Sequence, residues 1–119
     1  MRVSRGDVVL LDFPFSDASG SKVRPAIVVQ NDSLNRRLAS TIVVLVTKTI
    51  HRAESELSQF LIEIDTTAGK ATGLRFDSAV SCTSLYSVHQ DFISYRIGRL
   101  PIELLPTLDG CLKAALAIV

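Results

Sequence analysis

For its first hundred residues the chain carries its apolar side chains in short runs, and only the last fifth changes period. GDVVLLDF at 6–13 is β-branched and aromatic and predicts a strand. PAIVVQN at 25–31 and TIVVLVT at 41–47 are continuous apolar runs of buried-strand length. FLIEID at 60–65 alternates, SAVSCTSLYSV at 78–88 alternates weakly with Val80 and Cys82 on one face, and SYRIGRL at 94–100 predicts a last short strand. Between them, PFSDASGSKVR at 14–24 is expected to be a loop, HRAESELS at 51–58 a second loop, and TTAGKATG at 66–73 a turn. DSLNRRLA at 32–39 predicts a short helix capped by Asn31 or Asp32. Leu104, Leu108, Cys111, Leu112, Ala115, Leu116 and Val119 then recur at spacings of three and four, an amphipathic helix. Pro101 suits a first turn, and Pro106 an interior kink or an irregular start, so the regular helix is expected near Leu105. Five to six strands followed by one helix predict an α+β, mainly β domain: a small, partly closed antiparallel barrel with a helix packed on it.

Composition narrows this picture. A length of 119 residues suits one domain, 1–119, and 47% hydrophobic residues exceed what so small a core needs, which makes a homodimer the expected way to cover the surplus. The apolar runs are too short to cross a bilayer, no basic segment leads into a long apolar one at the start, and a cytoplasmic location is expected. Cys82 and Cys111 are isolated and read as two buried thiols rather than a disulfide. His51 and His89 are far apart and fit surface positions better than acid–base work; neither a metal site nor a cofactor is expected. A net charge of +1 means that any basic surface is local.

RGDVVLLDFPFSDASGSKVRPAIVVQND at 5–32, then TIVVLVT, DSAV at 77–80 and IGRL at 97–100 before a Leu/Ala-rich helix, resembles the MazF/PemK (Kid) toxins of bacterial toxin–antitoxin pairs. The resemblance covers essentially the whole chain in order. It implies an SH3-like barrel that dimerises and cleaves single-stranded RNA at short sequences without ribosome or metal. It also implies a cognate antitoxin that folds across the dimer. The family's catalytic pair falls on Arg24 and Thr47 of this sequence.

Chemistry supports part of that assignment. Metal-free RNA cleavage drives the 2′-hydroxyl onto the adjacent phosphate, so negative charge on the phosphoryl oxygens must be stabilised and two protons managed. Arg24 suits an electrostatic clamp, because a guanidinium is always charged and grips two oxygens at once; its high pKa fits proton donation less well. Thr47 can donate to the same phosphate but is a poor base. Many relatives carry a carboxylate a few residues before the arginine; here that position is about Ser19, with Asp17 the nearest acid and the candidate general base. Relatives often carry an acidic residue and a glutamine near Thr83 and Ser84, so small hydroxyls there imply a recognition sequence different from that of better-known members. Ser19, Lys22 and Ser84 are candidate RNA contacts, and Phe15 either stacks on a base or packs in the core.

Two other readings share the fold. A gyrase poison of the CcdB type acts by protein contact, but those toxins end in Trp-Gly-Ile, whereas this chain has no tryptophan and ends LAIV. A degenerate homologue would keep the barrel and the antitoxin groove without turnover.

Overall fold

A computed structural model describes residues 1–14 and 21–119. Its strands are β1 (Asp7–Pro14), β2 (Ser21–Val28), β3 (Ser40–Thr47), β4 (Gln59–Ile62), β5 (Ser78–His89) and β6 (Ile93–Arg99). The helices are α1 (Asp32–Arg37), α2 (Thr67–Ala71) and α3 (Leu105–Leu116), with short 3-10 turns at Gln90–Phe92 and Ile102–Leu104. The strands form one antiparallel sheet in the order β4-β5-β3-β2-β1-β6. This is the mostly antiparallel sheet with a C-terminal helix that the periodicity predicts.

Both faces are buried at the centre of the sheet, which explains why the central runs are continuous rather than alternating. Val8, Ile27, Val44, Val46, Phe60, Ile62, Val80 and Cys82 face α3 and pack on its Leu108 and Cys111. Their sequence neighbours Val9, Ala26, Val28 and Val43, with Leu11, point the other way and form a second cluster with Ile93 and with Val3 of the N-terminal segment. Val8 and Val9, like Val43 and Val44, are consecutive and all fully buried. The hydrogen-bonded ladder leaves β4 and β6 as its edges.

A buried polar knot secures one end of β3. Asn35 of α1 accepts from Gln30 Nε2 at 2.9 Å and Thr41 Oγ1 at 2.7 Å, and donates to the Gln30 carbonyl at 3.0 Å and Asp32 Oδ1 at 3.2 Å. Gln90 Nε2 donates to the Asn35 and Leu38 carbonyls, and Arg2 also reaches the Asn35 carbonyl. Asn31 is the cap of α1, its Oδ1 accepting from Ser33 N at 2.7 Å.

The structure corrects the expected elements at three points. β2 begins at Ser21, so Arg24 and Pro25 lie inside it rather than at its entrance. β4 is shorter than the expected 60–65 strand. The expected turn at 66–73 contains α2, capped by Thr66 Oγ1 accepting from Gly69 N at 2.9 Å. A Cβ at Gly69 would stand 1.9 Å from the Glu63 carbonyl oxygen, and one at Gly98 would stand 2.4 Å from the Thr72 carbonyl. Both glycines are required because α2 lies directly on the backbone of its neighbours. Pro106 falls in the first turn of α3, where no amide donor is needed, so it starts the helix without breaking it.

Candidate functional site

Arg24 and Thr47 come together through strand register. β2 and β3 pair at Val28↔Val43, Ile27↔Val44 and Ala26↔Leu45. Two residues further along the same register, Arg24 stands level with Thr47, on the face that carries Ala26 and Leu45. Both are half-buried. Arg24 pairs on its other side with Leu11, and Thr47 with Ala79. Thr47 Oγ1 accepts from Thr49 N at 3.1 Å, so its own hydroxyl hydrogen is available for donation elsewhere.

Pro25 sits between the ladder and this pair. The Val28 carbonyl faces β1, accepting from Gly6 N, and Val29 N faces β3, donating to the Ile42 carbonyl. Counting back by twos, the nitrogen of Pro25 faces β3. Proline has no hydrogen to give there, and the β2–β3 ladder stops at Ala26.

A second group gathers on β5. Between the pairs Val44↔Leu85 and Leu45↔Ser81, β5 carries three extra residues, Cys82, Thr83 and Ser84, opposite none on β3. In this bulge Ser81 Oγ lies 3.4 Å from both Thr83 Oγ1 and Ser84 Oγ. Ser81 is itself paired with Gln59 of β4. An open cleft of ≈ 340 Å³ adjoins, lined by Thr47, Thr49, His51, Arg52 and Gln59.

Of the other sequence candidates, Lys22 is exposed and lies two residues from Arg24 on the same side of β2. Phe15, Asp17 and Ser19 fall outside the described residues; the flanking Pro14 and Ser21 are paired, at the same end of the sheet as Arg24. Thr49, His51, Arg52 and Gln59 were not expected at the site. Nothing in their local sequence marks them, because turns and cross-strand pairing bring them there. His51 is exposed as expected, yet it stands at Thr47's cleft. His89 lies at the opposite end of β3, paired with Ser40, where its Nδ1 accepts from Asp91 N at 3.1 Å and caps the 3-10 turn.

A larger open cleft of ≈ 480 Å³ lies beside Lys48, whose Nζ sits 4.8 Å from the centre of the Phe76 ring. Asp65 and Asp77 there balance Lys48 and Arg75, which makes it a poorer seat for a polyanion. Neither cysteine offers a nucleophile. Burial, with a smaller push from the neighbouring Cys111, takes the Cys82 thiol up to about 12, and burial raises Cys111 as well.

An arginine level with a threonine in strand register, beside a cleft lined by hydroxyls and an amide, is an arrangement chemically able to hold an anion on a small β-sheet scaffold. Residues 4–116 match the sequence model of the PemK-like, MazF-like toxins of type II toxin–antitoxin systems, and the chain belongs to that family. It is 30% identical over 120 residues to Endoribonuclease EndoA of Bacillus subtilis (strain 168), covering 100% of this chain and 98% of the relative. It is 29% identical over 118 residues to Endoribonuclease MazF2 of Mycobacterium bovis, covering 98% of each. In fold it is similar to a mycobacterial endoribonuclease solved with its cognate antitoxin, with a TM-score of 0.79 at 17% identity over 98% of this chain and 97% of that one. A MazE–MazF structure from Deinococcus radiodurans gives 0.72 at 18% identity over 100% of both chains.

Proposed function

We propose that the protein is a sequence-specific endoribonuclease toxin that cleaves single-stranded RNA and is silenced by a cognate antitoxin. The observation that carries the reading is the placement of Arg24 level with Thr47 beside a polar cleft, in a chain of this family. In the reaction the 2′-oxygen forms a bond to the adjacent phosphorus, the bond to the 5′-oxygen breaks, and a 2′,3′-cyclic phosphate and a 5′-hydroxyl result. The 2′-hydroxyl loses a proton and the departing 5′-oxygen gains one. Arg24 holds the phosphoryl oxygens as charge builds on them, which is commonly the largest single contribution of such a site. Thr47, its oxygen already engaged by Thr49 N, donates its hydroxyl hydrogen to the same phosphate. Asp17 remains the proposed general base.

The protein acts as a homodimer in this reading. Beyond the reach of α3, Val23, Pro25, Leu10 and Tyr95 share one face of β2-β1-β6, and Val23 and Tyr95 are 55% and 65% exposed. This apolar strip suits a second copy. No described helix is long and apolar enough to cross a membrane, and we place the protein in the cytoplasm with its messenger RNA substrate.

The deciding experiment is incubation with mixed-sequence single-stranded RNA in excess EDTA, followed by mapping of fragment ends. The expected products are cyclic phosphate and 5′-hydroxyl ends at a short recurring sequence, lost in Arg24→Ala. Intact RNA with the wild-type protein would overturn the reading.

A further inference from the structure

Residues of the turn after β3 line an open cleft together with Thr47 and Gln59, and its lining is chemically distinctive. His51 and Arg52 are exposed at it, and neither side chain takes part in an ion pair among the described residues. Thr47 and Thr49 supply hydroxyls, and Gln59 an amide. Gln59 Oε1 is buried and has no hydrogen-bond partner. Buried polar atoms in folded proteins are nearly always paired, so a lone carbonyl at a cleft calls for an explanation. The strand holding Gln59 places it directly across from Ser81 and hence next to the hydroxyls of the β5 bulge.

Imidazole rings and guanidinium planes are surfaces on which the unstacked bases of single-stranded RNA lie, and amides read base edges. The cleft volume is that of a small-ligand site. A small rotation about the terminal torsion of Gln59, well short of a flip, turns the enclosed carbonyl toward an incoming donor.

We propose that this cleft is a nucleobase pocket for the nucleotide held beside Thr47, and that Gln59 determines which base it accepts. The inference rests on the ribonuclease reading above. The preferred base carries an exocyclic amino group next to a ring-nitrogen acceptor, as adenine and cytosine do. The amino hydrogen goes to Oε1, and the ring nitrogen accepts from Nε2. Uracil presents a carbonyl oxygen where the amino group would be and pairs only with an amide turned end for end, so it meets an acceptor at Oε1 as the side chain stands. His51 and Arg52 hold the base by its flat faces, so they set affinity rather than identity.

The test uses random-sequence 2′-fluoro oligonucleotides, which lack the 2′-hydroxyl nucleophile and survive binding. Sequences enriched by wild-type protein, Gln59→Leu, Gln59→Glu and His51→Ala are compared, with cleavage of ordinary RNA by the wild type measured separately. The wild type is expected to enrich adenine or cytosine at one position, and Gln59→Leu to flatten that preference about tenfold. Gln59→Glu has acceptors only, so the preference moves toward guanine, whose N1–H and N2–H both donate. His51→Ala weakens binding with the preference unchanged. An unchanged profile in either folded Gln59 variant overturns the proposal, as does a wild-type profile that favours uracil, guanine or no base. The two Gln59 variants decide independently, should one fail to fold. Absence of cleavage by the wild type would remove the ribonuclease reading, while the binding profiles would still decide the role of Gln59.

Discussion

Asn35→Ala tests how much of the fold depends on the polar knot at the start of β3. Asn35 is 1% exposed and makes four side-chain hydrogen bonds. Two of its partners keep another contact after truncation: Gln30 Nε2 still donates to the Ser40 carbonyl, and Asp32 Oδ1 still accepts from Arg5 N. The other two are stranded. Thr41, 0% exposed, loses the acceptor of its hydroxyl, and the Gln30 carbonyl loses its side-chain donor. Each stranded group costs about 1–3 kcal/mol, against a gain of roughly 0.5 kcal/mol from the better helix propensity of alanine. The expected net loss is about 3 kcal/mol, on the order of 10 °C in Tm for a chain of this length. Urea and thermal unfolding, with an unchanged urea dependence, measure it. Thr41→Val removes one stranded group in advance, so the double variant should be less destabilised than the sum of the singles by about 1 kcal/mol. A loss below about 1 kcal/mol for Asn35→Ala, or strict additivity with Thr41→Val, would refute the cooperative reading of this knot. Because Thr47 lies at the other end of β3, RNA cleavage well below the melting temperature should be unaffected.

Other outcomes follow from the site and the core. Arg24→Ala should lower cleavage about 10²–10³-fold with the fold retained, and Arg24→Lys should restore only part of it, since an ammonium lacks the planar fork; full activity of the lysine variant would argue for charge alone. Gly98→Ala puts a Cβ 2.4 Å from the Thr72 carbonyl and should cost about 3 kcal/mol, read as a fall in Tm; an alanine tolerated without loss would mean that α2 can slide. The thiols give a pH dependence with a definite sign. The folded state holds Cys82 neutral up to about 12, while the unfolded thiol ionises near 8.5. The stabilisation is therefore complete below the unfolded value and is lost as pH climbs toward the folded one. Tm should fall between pH 8 and pH 10.5, and Cys82→Ala with Cys111→Ala should flatten that fall; an identical slope in the double variant would contradict it.

Periodicity alone located most of the sheet and α3, because runs such as TIVVLVT are buried on both faces and the helix keeps its three-to-four spacing to the end. The start of β2 was hidden by Pro25, which normally marks a strand's beginning; its interior position is tolerated because its nitrogen faces the side where pairing has stopped. α2 has five residues, a central glycine and no apolar stripe, and its stability comes from Thr66 and from close packing on Glu63 and Ile97–Gly98, none of which is local in sequence. As candidates, Arg24 and Thr47 were legible through a motif, and strand register sets them level. Gln59, His51 and Arg52 were not, since only the register of β4 against β5 and the course of the turn after β3 place them at Thr47.

The interrupted ladder at Pro25 also limits how this protein can be improved. In most sheets an extra pair of hydrogen bonds only adds rigidity. In the proposed reading, restoring an amide at position 25 would invite β2 and β3 to zip up to Arg24 and Thr47, closing the place proposed for a phosphate. Under that reading a tighter fold and turnover pull in opposite directions at this single residue, and the proline keeps the seam open.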